Sequence, residues 1–235
     1  MSGRPSAPQN WLPVKAADKV LRELRALARP GDLEGMARFG IDVRARLGLH
    51  VPAIRIIARR LGRDQALAEE LWATGIPDAR ILASMVADPA RISRSTMDKW
   101  TRDFTSWDVC DACCCDLFDR TPYVWQKIPR WAAGKREFVR RAGFATLAAA
   151  AVHLKTADDR HFLDGLELIE KYAFDDRNFV RKAVNWALRN IGKRHGGRLL
   201  PAAIACAERV RAQNTRSARW IAADALREFR VKFGG

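Results

Sequence analysis

The sequence has no long hydrophobic run, and its opening residues do not resemble a signal peptide. Its longest apolar stretch, around Ala145–Leu154, is rich in alanine and far shorter than the roughly 18 apolar residues that a membrane-spanning helix needs. The opening residues MSGRPSAPQNW lack the apolar core of a signal peptide. We therefore expect no membrane partner and a cytoplasmic location.

Cysteine is scarce and unsuited to a disulfide framework. The chain has 5 cysteines, an odd number, and four of them crowd together at Cys110, Cys113, Cys114 and Cys115. Cys110 and Cys113 form a CxxC pair, but a structural zinc site needs a second pair, and neither Cys206 nor the four histidines supply one. We predict a reducing compartment, no metal and no cofactor, with these thiols filling a tightly packed helix.

Glycine and proline are few, and strict alternation of apolar and polar residues is nearly absent. Hydrophobic residues make up 48% of the chain and recur instead at spacings of three and four, which predicts an all-helical chain. We expect a flexible lead-in over residues 1–14 and a single domain over 15–235. Helices are predicted near 15–28, 32–47, 51–61, 64–73, 78–87, 93–104, 107–118, 122–132, 136–150, 159–172, 176–193, 198–211 and 215–230.

The chain repeats itself at intervals of about 40 residues. Phe138-Val-Arg-Arg-Ala142 recurs 41 residues later as Phe179-Val-Arg-Lys-Ala183, and a looser copy at Ala218-Arg-Trp-Ile-Ala222 follows 38 residues further on. Repeats of this length, each with two helices, are typical of HEAT or armadillo stacks. The sequence therefore predicts a curved helical solenoid with an extended concave surface.

Positive charge is in excess and unevenly distributed. The net charge is +15, and residues 171–235 hold 15 Lys and Arg against 5 Asp and Glu. Basic pairs recur in register, Arg140 and Arg141 in one repeat and Arg181 and Lys182 in the next. This pattern favours a basic concave face that binds nucleic acid, although a solubilising surface charge is the alternative.

Two tryptophans and one carboxylate stand apart from the packing pattern. Trp107 and Asp111 are four residues apart, so on a helix they share one face, where an indole and a carboxylate can stabilise positive charge. The alternative is a core tryptophan beside a surface aspartate. Trp186 replaces Ala145 of the preceding repeat and is therefore not required by the core.

Taken together, these residues resemble the AlkD-like DNA alkylation repair glycosylases, a family built from HEAT-like repeats. The resemblance runs from about Met36 to Phe229. It rests on Trp107-Asp-Val-Cys-Asp111, Phe138-Val-Arg-Arg141-Ala-Gly, Phe179-Val-Arg-Lys-Ala-Val-Asn-Trp186-Ala-Leu-Arg189, Arg38-Phe39-Gly-Ile, Gly48-Leu49 and Pro52-Ala-Ile-Arg55.

The resemblance implies a monofunctional DNA glycosylase that hydrolyses the N-glycosidic bond of N3- or N7-alkylated purines in duplex DNA without flipping the base. It assigns the catalytic carboxylate to Asp111, the paired tryptophans to Trp107 and Trp186, and the site arginine to Arg141. It also implies that no metal or nucleotide cofactor is needed, and we expect the chain to act as a monomer.

The same resemblance, with the basic repeats, indicates which residues contact DNA. Phe39 stands where the family commonly has tyrosine and keeps the aromatic ring. The expected contacts are Phe39, Arg55, Arg59, Arg140, Arg177, Arg181, Lys182, Arg189, Lys193, Arg194, Arg216 and Arg219. Two alternatives stay open: a non-catalytic HEAT-repeat protein that binds damaged or branched DNA, and a scaffold for an acidic protein partner.

Overall fold

The computed structural model describes residues 16–234, and the lead-in expected over 1–14 lies outside them. Within 16–234 there are thirteen α-helices and no strand, which confirms the all-α prediction. The helices are α1 Ala16–Ala26, α2 Leu33–Arg38, α3 Val51–Leu61, α4 Gln65–Ala73, α5 Pro77–Val86, α6 Arg94–Arg102, α7 Trp107–Asp116, α8 Val124–Ala132, α9 Glu137–His153, α10 Arg160–Tyr172, α11 Asn178–Lys193, α12 Leu200–Ala212 and α13 Arg216–Phe233.

Local chemistry determines where several helices begin. The Asp64, Ser93 and Thr215 side chains accept hydrogen bonds from backbone N–H groups in the first turns of α4, α6 and α13. Proline occupies the first turn of α3, α5 and α12, where its missing N–H costs no helical hydrogen bond. These capping residues explain why most predicted boundaries agree with the structure within a few residues.

The helices form a two-layered stack. Along one layer, α3, α5, α7, α9, α11 and α13 pack side by side in chain order, and α4, α8 and α12 pack behind them against α5, α9 and α13. α9, α11 and α13 begin at Glu137, Asn178 and Arg216, so their starts reproduce the 41- and 38-residue displacements of the repeat. The predicted solenoid of helical repeats is confirmed.

The core of the stack is continuous through α9. Its residues Ala142 and Ala145 pack with the N-terminal apolar cluster, whereas Phe144, Leu147 and Ala148 pack with the C-terminal one. Full burial of a large apolar side chain such as Phe144 stabilises the fold by about 1.5–3 kcal/mol. Within residues 16–234, no helix is long and apolar enough to cross a membrane.

The helix predicted over 32–47 is wrong. α2 ends at Arg38, and residues 39–50 follow an irregular path in which Gly40 and Ala45 adopt positive φ angles of 71° and 56°. The buried Asp78 carboxylate accepts hydrogen bonds of 2.9 Å from the backbone N–H groups of both Leu47 and Leu49. A tertiary contact with α5 therefore overrides the local helical pattern and fixes this segment beside α7.

Candidate active site

Asp111 of α7 and Arg141 of α9 form a two-pronged ion pair. Arg141 Nε donates to Asp111 Oδ1 over 2.9 Å, and Arg141 Nη2 donates to Oδ2 over 2.7 Å. Arg141 is buried, and only 19% of the Asp111 side chain is exposed. The third prong of the guanidinium, Nη1, donates to the Phe179 carbonyl over 2.5 Å and so connects the pair to α11.

Burial and charge act in opposite directions on this carboxyl. Burial raises the pKa of Asp111 above its ordinary value, and the Arg141 guanidinium counteracts that rise. A carboxylate offers about four lone-pair positions, of which Arg141 takes one on each oxygen. Asp111 can therefore still accept a hydrogen bond or contact a cation through its exposed edge.

Trp107 is the first residue of α7 and lies beside the ion pair. Its indole Nε1 donates to the Phe39 carbonyl over 3.0 Å, and the Arg141 guanidinium carbon lies 6.0 Å from its ring centroid. The Phe39 ring itself is 75% exposed. The irregular segment after α2 therefore holds the indole in place while leaving an aromatic ring free for a ligand.

A pocket of about 660 Å³ opens between α2, the 39–50 segment and α7. Trp107 and Asp111 line one side, and Met36 and Phe39 line the other. Its volume is in the range of small-molecule sites, and its lining combines apolar side chains with a few polar groups. The pocket is therefore a candidate site.

A second ion pair, which the sequence does not predict, lines the same pocket. The buried Arg46 pairs with Asp108, and Ser106 Oγ donates to Asp108 Oδ1 over 2.6 Å. Asp108 has the appearance of a capping or solvated residue in the sequence, and Arg46 falls in the helix that was wrongly predicted. No local signal in the sequence links two residues 62 positions apart.

Trp186 lies on α11, two turns after Phe179. It is half-buried and packs against both apolar clusters, and it is not among the residues that line the 660 Å³ pocket. The structure thus brings Asp111 and Arg141 into direct contact beside Trp107 and leaves Trp186 on the neighbouring helix.

Several of the expected DNA-contacting cations are available at the surface. Arg59, Lys182 and Arg216 are exposed and have no hydrogen-bonding or ionic partner among residues 16–234. Others are exposed or partly exposed but already engaged: Arg55 with Asp116, Arg177 with Asp175, Arg189 and Lys193 with Glu228, Arg181 with Asn178 and Trp220, and Arg219 with Asn214.

Two expected DNA contacts, Arg194 and Arg140, are wrong. The Arg194 side chain is fully buried and donates to the carbonyls of Ala151, Lys155 and Ala157. Arg140 donates to the Ala132 carbonyl and to Asp175, with its side chain only 11% exposed. Both guanidiniums join neighbouring helices and lie out of reach of a phosphate.

Asp175 is the anion that holds Arg140 and Arg177 together. Burial alone would raise the pKa of Asp175, but hydrogen bonds from Arg177 and Arg140 hold it below its ordinary value. The cluster thus fixes the start of α11, the helix that carries Trp186.

The cysteines are packing residues. Cys110 and Cys114 direct their thiols to the carbonyls of Phe138 and Ala142 on α9, and burial raises the pKa of both thiols. Their small side chains bring α7 close enough to α9 for Asp111 to reach Arg141. Among residues 16–234, no three His, Cys, Asp or Glu side chains converge in a way that could hold a metal ion.

Comparison with known proteins agrees with this architecture. The model of the family described as "DNA alkylation repair enzyme" matches residues 20–229, which confirms the resemblance seen in the sequence. No curated protein matches the chain. A solved structure is similar with a TM-score of 0.72 and 22% identity, over 90% of this chain and 94% of that one. It is described as a new family of proteins related to the HEAT-like repeat DNA glycosylases with affinity for branched DNA structures.

Proposed function

Because the chain belongs to the DNA alkylation repair enzyme family, we propose that it is a monofunctional DNA glycosylase for cationic N3- and N7-alkylated purines in duplex DNA. The observation that carries the proposal is the Asp111 carboxylate, held on both oxygens by Arg141 beside Trp107 in the wall of an open pocket.

The chemistry follows from the charge of the substrate. An alkylated purine carries a positive charge, and when its bond to C1′ breaks, the bonding electrons neutralise the base and leave an oxocarbenium ion on the sugar. Asp111 stabilises that cation electrostatically. A water molecule then adds its oxygen to C1′ and releases a proton to the Asp111 carboxylate or to solvent.

The remaining site residues support Asp111. Arg141 is a positioning residue, because its guanidinium binds both carboxylate oxygens and favours the ionised form of Asp111. In this proposal Trp107 presents its electron-rich ring face to the sugar and the cationic base from within the pocket, and Trp186 does so from the neighbouring helix α11. The lesion is a good leaving group, so we propose that it is hydrolysed while still stacked in the duplex, with exposed cations such as Lys182 binding the phosphates.

The test is chromatographic analysis of bases freed from methylated duplex DNA in the presence of EDTA. We expect the wild-type protein to release N3-methyladenine or N7-methylguanine. Asp111→Asn should lower release at least about tenfold while duplex binding persists, since the substitution removes the charge but little volume. Absence of release from a range of alkylated substrates would overturn the proposal.

The second candidate is a non-catalytic protein that binds damaged or branched DNA. It is favoured by the structural neighbour, which is described as having affinity for branched DNA structures. If this candidate is correct, the protein should bind a four-way junction more tightly than a linear duplex of equal length. Asp111→Asn should change neither affinity. Base release by the wild-type protein decides between the two candidates.

A further inference from the structure

The side chain of Trp220 on α13 is not buried in the core. It is 37% exposed, whereas Trp72 and Trp100 are almost completely buried. The Arg181 guanidinium carbon, which comes from α11, lies 5.1 Å from the centroid of its ring. Trp220 and Arg181 thus form an aromatic and cationic surface unit, here called the Trp220 platform.

The platform lies in register with the catalytic pair. Asp111, Arg141, Lys182 and Trp220 are each the fifth residue of their helices, α7, α9, α11 and α13. These four helices pack side by side in chain order, so the four residues occupy equivalent positions in successive helices of one layer, here called the row. The row begins at the carboxylate of the proposed active site and ends at an exposed indole.

The charge around the platform suits a polyanion. Lys182, Arg216 and Arg219 are exposed and lie within four residues of Arg181 or Trp220 on the same helices. The nearest carboxylate on α13 is Asp224, which accepts hydrogen bonds from Asn185 and Arg227. The basic residues are therefore in excess beside the ring.

We propose that the Trp220 platform stacks an unpaired nucleobase of single-stranded DNA, with the adjacent phosphates on Lys182 and Arg216. A base inside a duplex already stacks on both neighbours, whereas an unpaired base has a free π face. Aromatic rings and arginine planes bind such faces with little sequence preference. The platform recognises a strand end, gap or fork, and it does so independently of the excision proposed at Asp111.

The test compares Trp220→Leu with Trp220→Phe, because leucine keeps the apolar contact and phenylalanine also keeps a π face. Fluorescence anisotropy measures binding to a short single-stranded oligonucleotide and to a blunt duplex of the same sequence. Trp220→Leu should weaken single-strand binding about tenfold, and Trp220→Phe should retain most of it. Blunt-duplex binding should change less than about twofold in either variant.

Controls separate stacking from a structural role of the ring. Phe174→Ala removes another exposed ring, which is 52% exposed, and should leave both affinities unchanged. Base release from methylated blunt duplex should be unaffected by Trp220→Leu, so a failure of the platform and a failure of the glycosylase proposal are distinguishable. Equal loss of single-strand and duplex binding in Trp220→Leu, or equal single-strand binding by the leucine and phenylalanine variants, would overturn the inference.

Discussion

Asp111 and Arg141 show how one neighbour determines what a carboxylate can do. An isolated buried carboxyl tends to take up a proton, because burial penalises its charged form. Arg141 offsets part of this penalty, although the pKa of Asp111 stays above its ordinary value, and it fixes the orientation of both oxygens. The pair is therefore a single chemical unit, in which the proposed mechanism has Asp111 face the substrate while Arg141 holds it.

This interpretation predicts a pH effect for Arg141→Gln. Glutamine removes the cation that opposes the burial effect, so the pKa of Asp111 should rise further. Because hydrolysis requires the ionised carboxylate, the acid limb of the kcat/KM profile for base release should move to higher pH by about one unit or more. An acid limb that stays in place while activity falls would assign Arg141 a purely structural role.

At residue level the sequence could predict Trp107, Asp111 and Arg141 because short motifs hold them, and the structure places these three together. It could not separate surface arginines from buried ones. In the sequence, Arg140 and Arg194 stand in basic helical segments like those of the exposed arginines. Only the carbonyl and carboxylate groups that they bind on neighbouring helices reveal their role.

At the scale of elements, α2 and the 39–50 segment form the wall of the pocket opposite α7. The sequence predicts most helices well because their apolar residues and caps are local features. It fails at 39–50 because the path there depends on Asp78, a buried carboxylate about thirty positions away in the chain. The same failure hid the Arg46–Asp108 pair.

Gly35 of α2 allows a direct test of the pocket. It lines the pocket, and a Cβ added there meets no atom within 4 Å. Gly35→Leu should therefore occupy the cavity without strain, and it should raise the thermal midpoint slightly because leucine favours a helix by up to about 1 kcal/mol over glycine. Base release should nevertheless fall about tenfold or more as substrate loses access to Asp111.

Glu34→Leu is the matched control for this substitution. Glu34 is the neighbouring residue on α2, is exposed and does not line the pocket. It should leave base release unchanged. Equal activity of the two leucine variants would show that the pocket between α2 and α7 takes no part in the reaction.

At the scale of the whole molecule, the net charge of +15 is distributed unevenly along the repeats of the solenoid. The repeat places Lys182 at the position in α11 that Arg141 holds in α9 and Asp111 in α7, while Arg140 and Arg194 join neighbouring helices. Net charge therefore overstates the number of cations available to a polyanion, and the DNA binding proposed above would rest on the exposed members of the row.

Lys182→Ala tests that view through salt dependence. A lysine that meets one phosphate contributes about 0.9 to the slope of log affinity against log salt for duplex DNA. We expect the variant to lose about this amount and to weaken binding to all sequences alike. Arg102→Ala removes an exposed cation of α6, outside the layer that carries Asp111, and should keep the wild-type slope. Identical slopes for the two variants would contradict a binding surface along the row.

The most direct test of the central claim is the single-turnover rate of base release from methylated duplex DNA, with protein in excess. Wild-type protein should release alkylated purine, and Asp111→Asn should be slower by at least about tenfold. Asp116→Asn, which alters another pocket-lining carboxylate of α7, should remain within about threefold of wild type because Asp116 pairs with Arg55 at the edge of the pocket. No release by the wild-type protein, or equal rates for Asp111→Asn and wild type, would contradict the account.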